Sequence, residues 1–535
     1  MKQADLEADE YVADVLVLGG GPAGAWAALM ARAGGAEVIL ADKGYLGTSG
    51  ATAPSNTETW VAAPGRAREA AVNRQLAKTR GLADAGHIED VLAEAWSGLH
   101  ALVDWKHPFA RDEEGQPYLG NLRGPDYMRF LRRRVITAGI RVLDHHPALE
   151  LLGGPDGVGG AAGIDRQRGT PWQVRSGAVV LATGGCAFGE RMLGATGLTG
   201  DGYLMAAEAG AALSGMEMSS QYAVTPKGTS LNKGMPFRFA SFYDAQGRDL
   251  GKPGEDRQEF VADALQRGAV LACLDKAGRQ VQAWLRQGQP NCLLPFDRAG
   301  IDPFKDRFEI TLRCEGTVRG VGGLRLVGRT GETGVPGLYA AGDVASREDL
   351  VGAISGGGGP NSSWAIASGR WAGVAAARAS VEARRRRDRQ RLSRLGGAGL
   401  SRAGGGRPDA AAVVAEVSGF MLPLATNFKR SGAALGVAAQ RFDALWREIG
   451  KSEPEPVGRR RVLAIDAPVR AAAAMLMAAR WAVASAEARR ETRGMHRRAD
   501  HPALDPAGPR RLVARGLDRI EIEGVRAVTK GEEPR

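Results

Sequence analysis

An apolar, β-branched run over residues 12–18 meets a glycine turn in which Gly19, Gly21 and Gly24 stand in G-x-G-x-x-G spacing. An alanine-rich helical stretch opening at Pro22 and Ala23 follows, then a second apolar run, 38–40, that leads to Asp42. Each part has a physical reason. Gly19 permits the tight turn out of a strand, Gly21 lets backbone approach a pyrophosphate, and Gly24 lets the helix pack on the sheet. The helix start offers unpaired N–H groups and a positive dipole end to phosphate. Asp42, at the tip of the next strand, is placed to accept hydrogen bonds from a ribose. A glycine triplet alone is weak evidence. Strand, turn, helix, strand and terminal acid in this order specify a dinucleotide-binding βαβ unit. Residues 1–10 hold nothing that folds ahead of it, so its first strand opens the domain. Position alone does not choose between FAD and NAD.

A chain of 535 residues has room for several domains. Its 44% hydrophobic and 24% charged content is that of a soluble globular protein. The apolar stretch 471–486 is interrupted by Arg480, so no membrane helix is expected. The acidic N-terminus lacks an apolar signal core, which reads as cytoplasmic. The net charge of +11 owes much to arginine in the C-terminal third, including the run 384–387. A solvated helix surface explains that run better than docking of an acidic redox partner, and no interleaved aromatics point to nucleic acid. The four cysteines, Cys186, Cys273, Cys292 and Cys314, show no C-x-x-C spacing. They read as buried, reduced thiols, and any iron–sulfur cluster must sit on another polypeptide.

Helical patterns occupy 66–83, 88–105 and 126–138, and a glycine-rich hairpin region spans 151–174. Within it, residues 157–162 mimic a second nucleotide motif, but the segment that follows cannot open a helix. A second nucleotide site is therefore not expected. A buried strand ends at Ala182, Thr183, Gly184 and Gly185, and a helix opens at Thr199 with Asp201 near its N-terminus. Residues 216–330 form a separate insertion. The nucleotide domain resumes at Gly337 and again ends a strand in glycine and acid, Gly342 and Asp343. An alanine-rich helix follows Asn361, Ser362 and Ser363; residues 395–408 read as a flexible linker, and the patterns from Asp409 onward are helical.

Four ordered motifs, ATGG at 182–185, TGDGYLMAAEAGA at 199–211, GLYAAGD at 337–343 and RRETRGMHRRADHP at 489–502, resemble the fumarate reductase/succinate dehydrogenase flavoprotein family. That family includes L-aspartate oxidase and the adenylylsulfate reductase flavoprotein. The resemblance covers nearly the whole chain. It implies an α/β fold: a Rossmann-like FAD domain (1–215 and 331–394), interrupted by an α+β capping domain (216–330) and followed by a helical domain (409–535). It implies FAD, with the diphosphate on Gly19, Gly21 and Gly24 and the adenosine ribose on Asp42 beside Lys43. The loop Thr48, Ser49, Gly50, Ala51, Thr52 would pass the flavin and pyrophosphate. Ala182, Thr183 and Gly184 would border adenosine, and Asp201 would lie near the isoalloxazine. Asp343 would hold the ribityl chain, and Asn361, Ser362 and Ser363 would meet the flavin. Some members tether FAD through a histidine in that loop; here it reads TSGATAPSN, so FAD should be non-covalent.

The substrate residues depart from the family. None of the seven histidines lies between 216 and 330, the Arg-Asp pair heading the capping helix is Ala262-Asp263, and His-x-x-Asn-Arg has become 353–357. Succinate and fumarate lose both their charge complement and their proton donor. The glycine row 356–359 suggests a roomier floor. The candidates left for catalysis are Arg238 as an anion partner, Tyr222 as a proton donor and Arg267, with Lys227 and Tyr243 nearby. Arg493, His496 and Arg497 sit in the matching C-terminal motif, either at substrate or in ion pairs that dock domains. The expected activity is a FAD oxidoreductase that moves a hydride between a small molecule and the flavin. Its electrons would be exchanged with a ferredoxin-like or other acceptor. The alternatives are an electron-transfer flavoprotein without its own substrate, or a true fumarate reductase, succinate dehydrogenase or L-aspartate oxidase.

Overall fold

The first strand, β1 (Asp9–Leu18), is buried from Ala13 onward and lies between two parallel neighbours. These are β2 (Val38–Ala41) on one side and the strand Pro171–Leu181 on the other. A strand covered on both faces must be apolar throughout rather than alternating, which is what the run shows. Val15 and Val17 pack toward α1 (Pro22–Ala33) and the long helix Gly358–Arg387. Leu16 and Leu18 enter a second core with Leu204, Met205, Leu213 and Val344. The two helices cross closely because Gly369 and Gly373 leave no side chain there; a Cβ on either would stand 2.4 and 2.3 Å from the carbonyls of Ala23 and Ala27.

The computed structural model describes residues 8–251, 257–387, 391–400, 409–449, 455–456 and 467–526. The strand Pro171–Leu181 organises the main sheet. Its first half pairs antiparallel with Gly157–Ile164, and its second half pairs parallel with Leu338–Ala340, where the nucleotide domain resumes. Residues 157–162 therefore lie in a strand of the hairpin, not at a phosphate turn. The insertion builds its own antiparallel sheet, in the order Tyr222–Pro226, Phe308–Cys314, Val270–Cys273, Ser241–Tyr243. Phe237, Phe242, Phe296 and Ile310 lie in its core. The architecture is the mixed α/β fold with a parallel-strand core that the sequence implied.

Two expectations change. The C-terminal part is helical through Ala410–Met421, Gly432–Ile449 and Ala467–Ala488, but it closes with a hairpin, Arg510–Arg515 with Glu521–Arg526. That hairpin joins Leu213–Ser214 through Val513 and Ala514, so it stitches the chain end to the nucleotide domain. The linker 395–408 is packed over its first six residues: Gly397 and Ala398 donate to Glu208 at 2.9 and 3.1 Å, and Leu400 is fully buried. Glycines serve close approach there, not flexibility. Residues 401–408 and the side chains of 384–387 lie outside the described residues. All four cysteines are buried and unpaired. No described helix is long and apolar enough to cross a membrane.

Candidate functional site

A groove of about 1290 Å³, its open mouth included, runs along the C-terminal ends of β1 and β2. This is where parallel α/β sheets place their ligands. Gly19, Gly21, Pro22, Ala23, Asp42, Lys43, Ser49, Gly50, Thr52, Ala182, Thr183, Gly184, Asp201, Gly342, Asp343, Asn361 and Ser362 all line it, so seventeen of the expected cofactor residues converge on one space. The three glycines divide the work. Gly19 has φ 106°, and a Cβ on it would sit 2.3 Å from the Ala182 oxygen; one on Gly24 would sit 1.8 Å from the Gly19 oxygen. Gly21 meets nothing of the chain within 4 Å, so its missing side chain is room left in the groove.

Asp42 is held by its own backbone surroundings. One carboxylate oxygen accepts from the Gly20 N–H at 2.5 Å, and the other from the Gly44 N–H at 2.6 Å and the Ser49 hydroxyl at 2.8 Å. Lys43 Nζ pairs with Asp201 at 2.7 Å. Burial raises the Asp201 carboxyl, but the Lys43 ammonium outweighs it and holds the group below its ordinary range. Asp201 thus lines the groove paired with Lys43, which follows β2. The Asp343 carboxylate ion-pairs with Arg347, a fully buried arginine that also donates to the Thr317 carbonyl at 2.9 Å.

The lining fits a polar, phosphate-bearing ligand. The Thr183 hydroxyl and both polar atoms of the Asn361 amide are buried and without partners, and both residues face the groove. Such atoms are costly unless something else pairs with them. Three expected cofactor residues do not line it. Gly24 packs helix on strand; the Thr48 hydroxyl turns back to the Tyr45 carbonyl at 3.3 Å. Ser363 binds the Trp60 N–H at 3.0 Å and its carbonyl at 3.3 Å. Of the glycine row only Gly358 lines the groove; it lies against Glu58, so the row serves backbone approach more than an open floor.

The candidate catalytic residues do not gather there. Tyr222 is fully buried, with its hydroxyl donating to the Leu422 and Pro423 carbonyls at 3.1 and 3.3 Å. Burial holds its pKa well above 10. Arg267 is exposed just past the end of the helix Arg257–Leu265. Arg238 is 61% exposed and reaches Glu58 at 3.5 Å. Lys227 ion-pairs with Glu309, and Tyr243 meets Asp275 at 3.2 Å. Arg493 forks onto Glu491 at 2.7 and 2.9 Å. His496 is fully buried, donating from Nε2 to the Arg489 carbonyl (3.1 Å) and accepting from Arg430 (2.9 Å) at Nδ1. Burial, then the charges of Arg430 and Arg489, push its pKa well below 6.5, so it is neutral. Arg497 stacks 4.4 Å over the Phe428 ring. The C-terminal motif is the docking network, a reading the sequence had left open.

Sequence reasoning missed Arg319 and His146, which both line the groove. Arg319 had a signal, a single cation inside the glycine-rich stretch 316–323 that leads back to the nucleotide domain. His146 had none.

The profile of the FAD binding domain family matches residues 14–360. A fumarate reductase (CoM/CoB) chain of Methanothermobacter marburgensis is 25% identical, over 95% of this chain and 98% of its own. The L-aspartate oxidase of Mycobacterium bovis is 26% identical, over 96% and 98%. The structure of Escherichia coli quinol fumarate reductase FrdA superposes with a TM-score of 0.80 at 21% identity, covering 98% of this chain and 99% of that one. The chain belongs to the FAD binding domain family and is an FAD-dependent oxidoreductase similar to fumarate reductase and L-aspartate oxidase chains.

Proposed function

We propose that this chain holds FAD non-covalently in the groove and moves a hydride between the flavin and a small molecule admitted under the cap. Its electrons are exchanged with a separate acceptor, a ferredoxin-like protein in the simplest arrangement. The carrying observation is the convergence of the glycine turn, Asp42 and the unpartnered Asn361 and Thr183 on one groove that the cap overhangs. Asn291 and Arg238, both in the insertion, reach the Pro54 carbonyl and Glu58. These two contacts tie the insertion to the segment 54–58 beside the groove.

In this reading the backbone N–H groups after Gly21 take the diphosphate, Asp42 takes the ribose, and Asp343, Asn361 and Ser362 orient the flavin end. FAD supplies the two-electron chemistry; the chain supplies position and electrostatics. The relatives are named for fumarate and L-aspartate, but the family's histidines and capping arginine have no counterpart here. Each missing charge-assisted hydrogen bond removes about 1.5–3 kcal/mol of binding. Saturating succinate should therefore leave the oxidised flavin unbleached under anaerobic conditions, and fumarate should not reoxidise the reduced form. Bleaching by succinate within seconds would overturn the substrate reading while leaving the FAD site intact.

A further inference from the structure

Arg347 does not line the groove, yet it grips one of the acids that do. It stands just before the short helix Glu348–Val351, and none of it is exposed. One arm of its guanidinium, Nη1, donates to Asp343 Oδ1. The other, Nη2, donates to the carbonyls of Thr317 at 2.9 Å, Val318 at 3.4 Å and Gly320. These carbonyls lie where the chain leaves the insertion and returns to the nucleotide domain, and Val318 is part of the groove wall. The Arg347 N–H secures the same segment by donating to the Val321 carbonyl at 3.0 Å. Asp343, whose side chain is 24% exposed, faces the groove. Among the described residues its second oxygen, Oδ2, takes no hydrogen bond.

A fully buried guanidinium is expensive to desolvate, and well-packed apolar residues often do as well for stability alone. An apolar side chain could not hold a carboxylate in one direction with its charge balanced. The fork is planar and rigid, so the arm fixed on three carbonyls dictates where the arm on Asp343 lies. We propose that Arg347 is a positioning residue for the cofactor. It holds Asp343 by Oδ1, leaves Oδ2 free for the ligand of the groove, and cancels the charge of the acid there. This rests on the groove's being the FAD site with Asp343 at the flavin end, and it names the group that sets the direction and charge of that acid.

The signs follow from electrostatics. Reduction brings negative charge to the flavin, which a nearby uncompensated carboxylate opposes and an uncompensated cation favours. Arg347→Met leaves Asp343 without its counter-charge. At a given applied potential its reduced-to-oxidised ratio should fall about tenfold or more, a midpoint lower by about 30 mV or more. Asp343→Asn leaves the arginine uncompensated and should raise the midpoint. The double variant carries neither charge and should return close to wild type. An arginine that served packing alone would not produce opposite shifts that cancel. Arg347→Lys keeps the charge, but one ammonium cannot reproduce the two-armed fork. Its midpoint should stay near wild type while its FAD affinity falls about tenfold or more.

The test is an anaerobic, dye-coupled reductive titration of the FAD-loaded proteins at saturating FAD. Affinity is measured separately, by flavin fluorescence as stripped protein is reloaded. A wild-type midpoint in Arg347→Met would overturn the proposal, as would shifts of the same sign in Arg347→Met and Asp343→Asn. Should Arg347→Met fail to fold, Asp343→Asn and Arg347→Lys decide: an unmoved midpoint in the first, or wild-type FAD affinity in the second, overturns it. Wild-type protein that takes up no FAD would instead overturn the reading of the groove, a result seen before any variant is made.

Discussion

Gly19, Gly21 and Gly24 share one motif but answer to different neighbours, and substitution should separate them. A Cβ at Gly24 meets the Gly19 carbonyl, so Gly24→Ala should cost about 1–3 kcal/mol of stability, as overpacking does. Chemical denaturation measures this directly. At Gly21 the same atom meets only open groove. Gly21→Val should fold with wild-type cooperativity and purify colourless, whereas wild type shows a flavin spectrum; a yellow Gly21→Val protein with full occupancy would count against the diphosphate assignment. The loop 48–52 contains no histidine. Acid precipitation should accordingly release all flavin to the supernatant, and colour kept in the pellet would contradict non-covalent binding.

At the scale of elements, the short helix Glu348–Val351 carries a carboxylate into the junction between nucleotide domain and cap. Glu348 is bonded to the Ser214 hydroxyl, and a Cβ on Gly215 would stand 2.9 Å from its side chain. Burial, and then the charge of Glu217, raise its carboxyl from 4.5 to about 7. Arg489 reaches Glu217 at 2.7 Å from the C-terminal domain. The folded pKa lies above the unfolded one, so the stability from protonated Glu348 is complete below about 4.5 and is lost as pH rises through 7. Glu348→Gln stays neutral throughout. It should match wild type in thermal unfolding at pH 4.5 and melt higher at pH 8; equal melting at both pH values would show that the carboxylate is not strained.

The whole molecule is held by arginines that cross between its parts. Arg430 is 1% exposed and donates to the Glu217 carbonyl at the entrance to the cap (2.6 Å), to Asn427 (2.8 and 2.9 Å) and to His496. Arg470 reaches Glu208 and the Ala398 carbonyl at 2.8 Å, which pins the segment after the long helix. Removing one partner of such a network leaves the others buried and unpaired. Arg430→Met should lose about 3–5 kcal/mol. Limited proteolysis should then release the C-terminal domain before the nucleotide domain is cut. Simultaneous loss of all parts would instead mean that the molecule unfolds as one unit.

The nucleotide half was legible in the sequence because its determinants are local. A strand, a three-glycine turn, a helix start and an acid lie within some thirty residues, and backbone geometry alone brings Gly19, Gly21 and Asp42 to one place. Asp343 and Asn361 were readable for the same reason, each ending or opening an element of the same sheet. The terminal hairpin was missed: the patterns from Asp409 onward read as helical, and its partner Leu213–Ser214 lies some three hundred residues away. The cap was not legible. Tyr222, Arg238 and Arg267 occupy the stretch where substrate groups were sought, yet packing turned the first into the core and left the other two at the surface. Asn232 and Glu315, more than eighty residues apart, meet at 2.8 Å beside the antiparallel pairing of Tyr222–Pro226 with Phe308–Cys314. Spacing along the chain determines what backbone can bind; which long side chains face the ligand depends on sheet pairing and burial, and those exist only in the folded molecule.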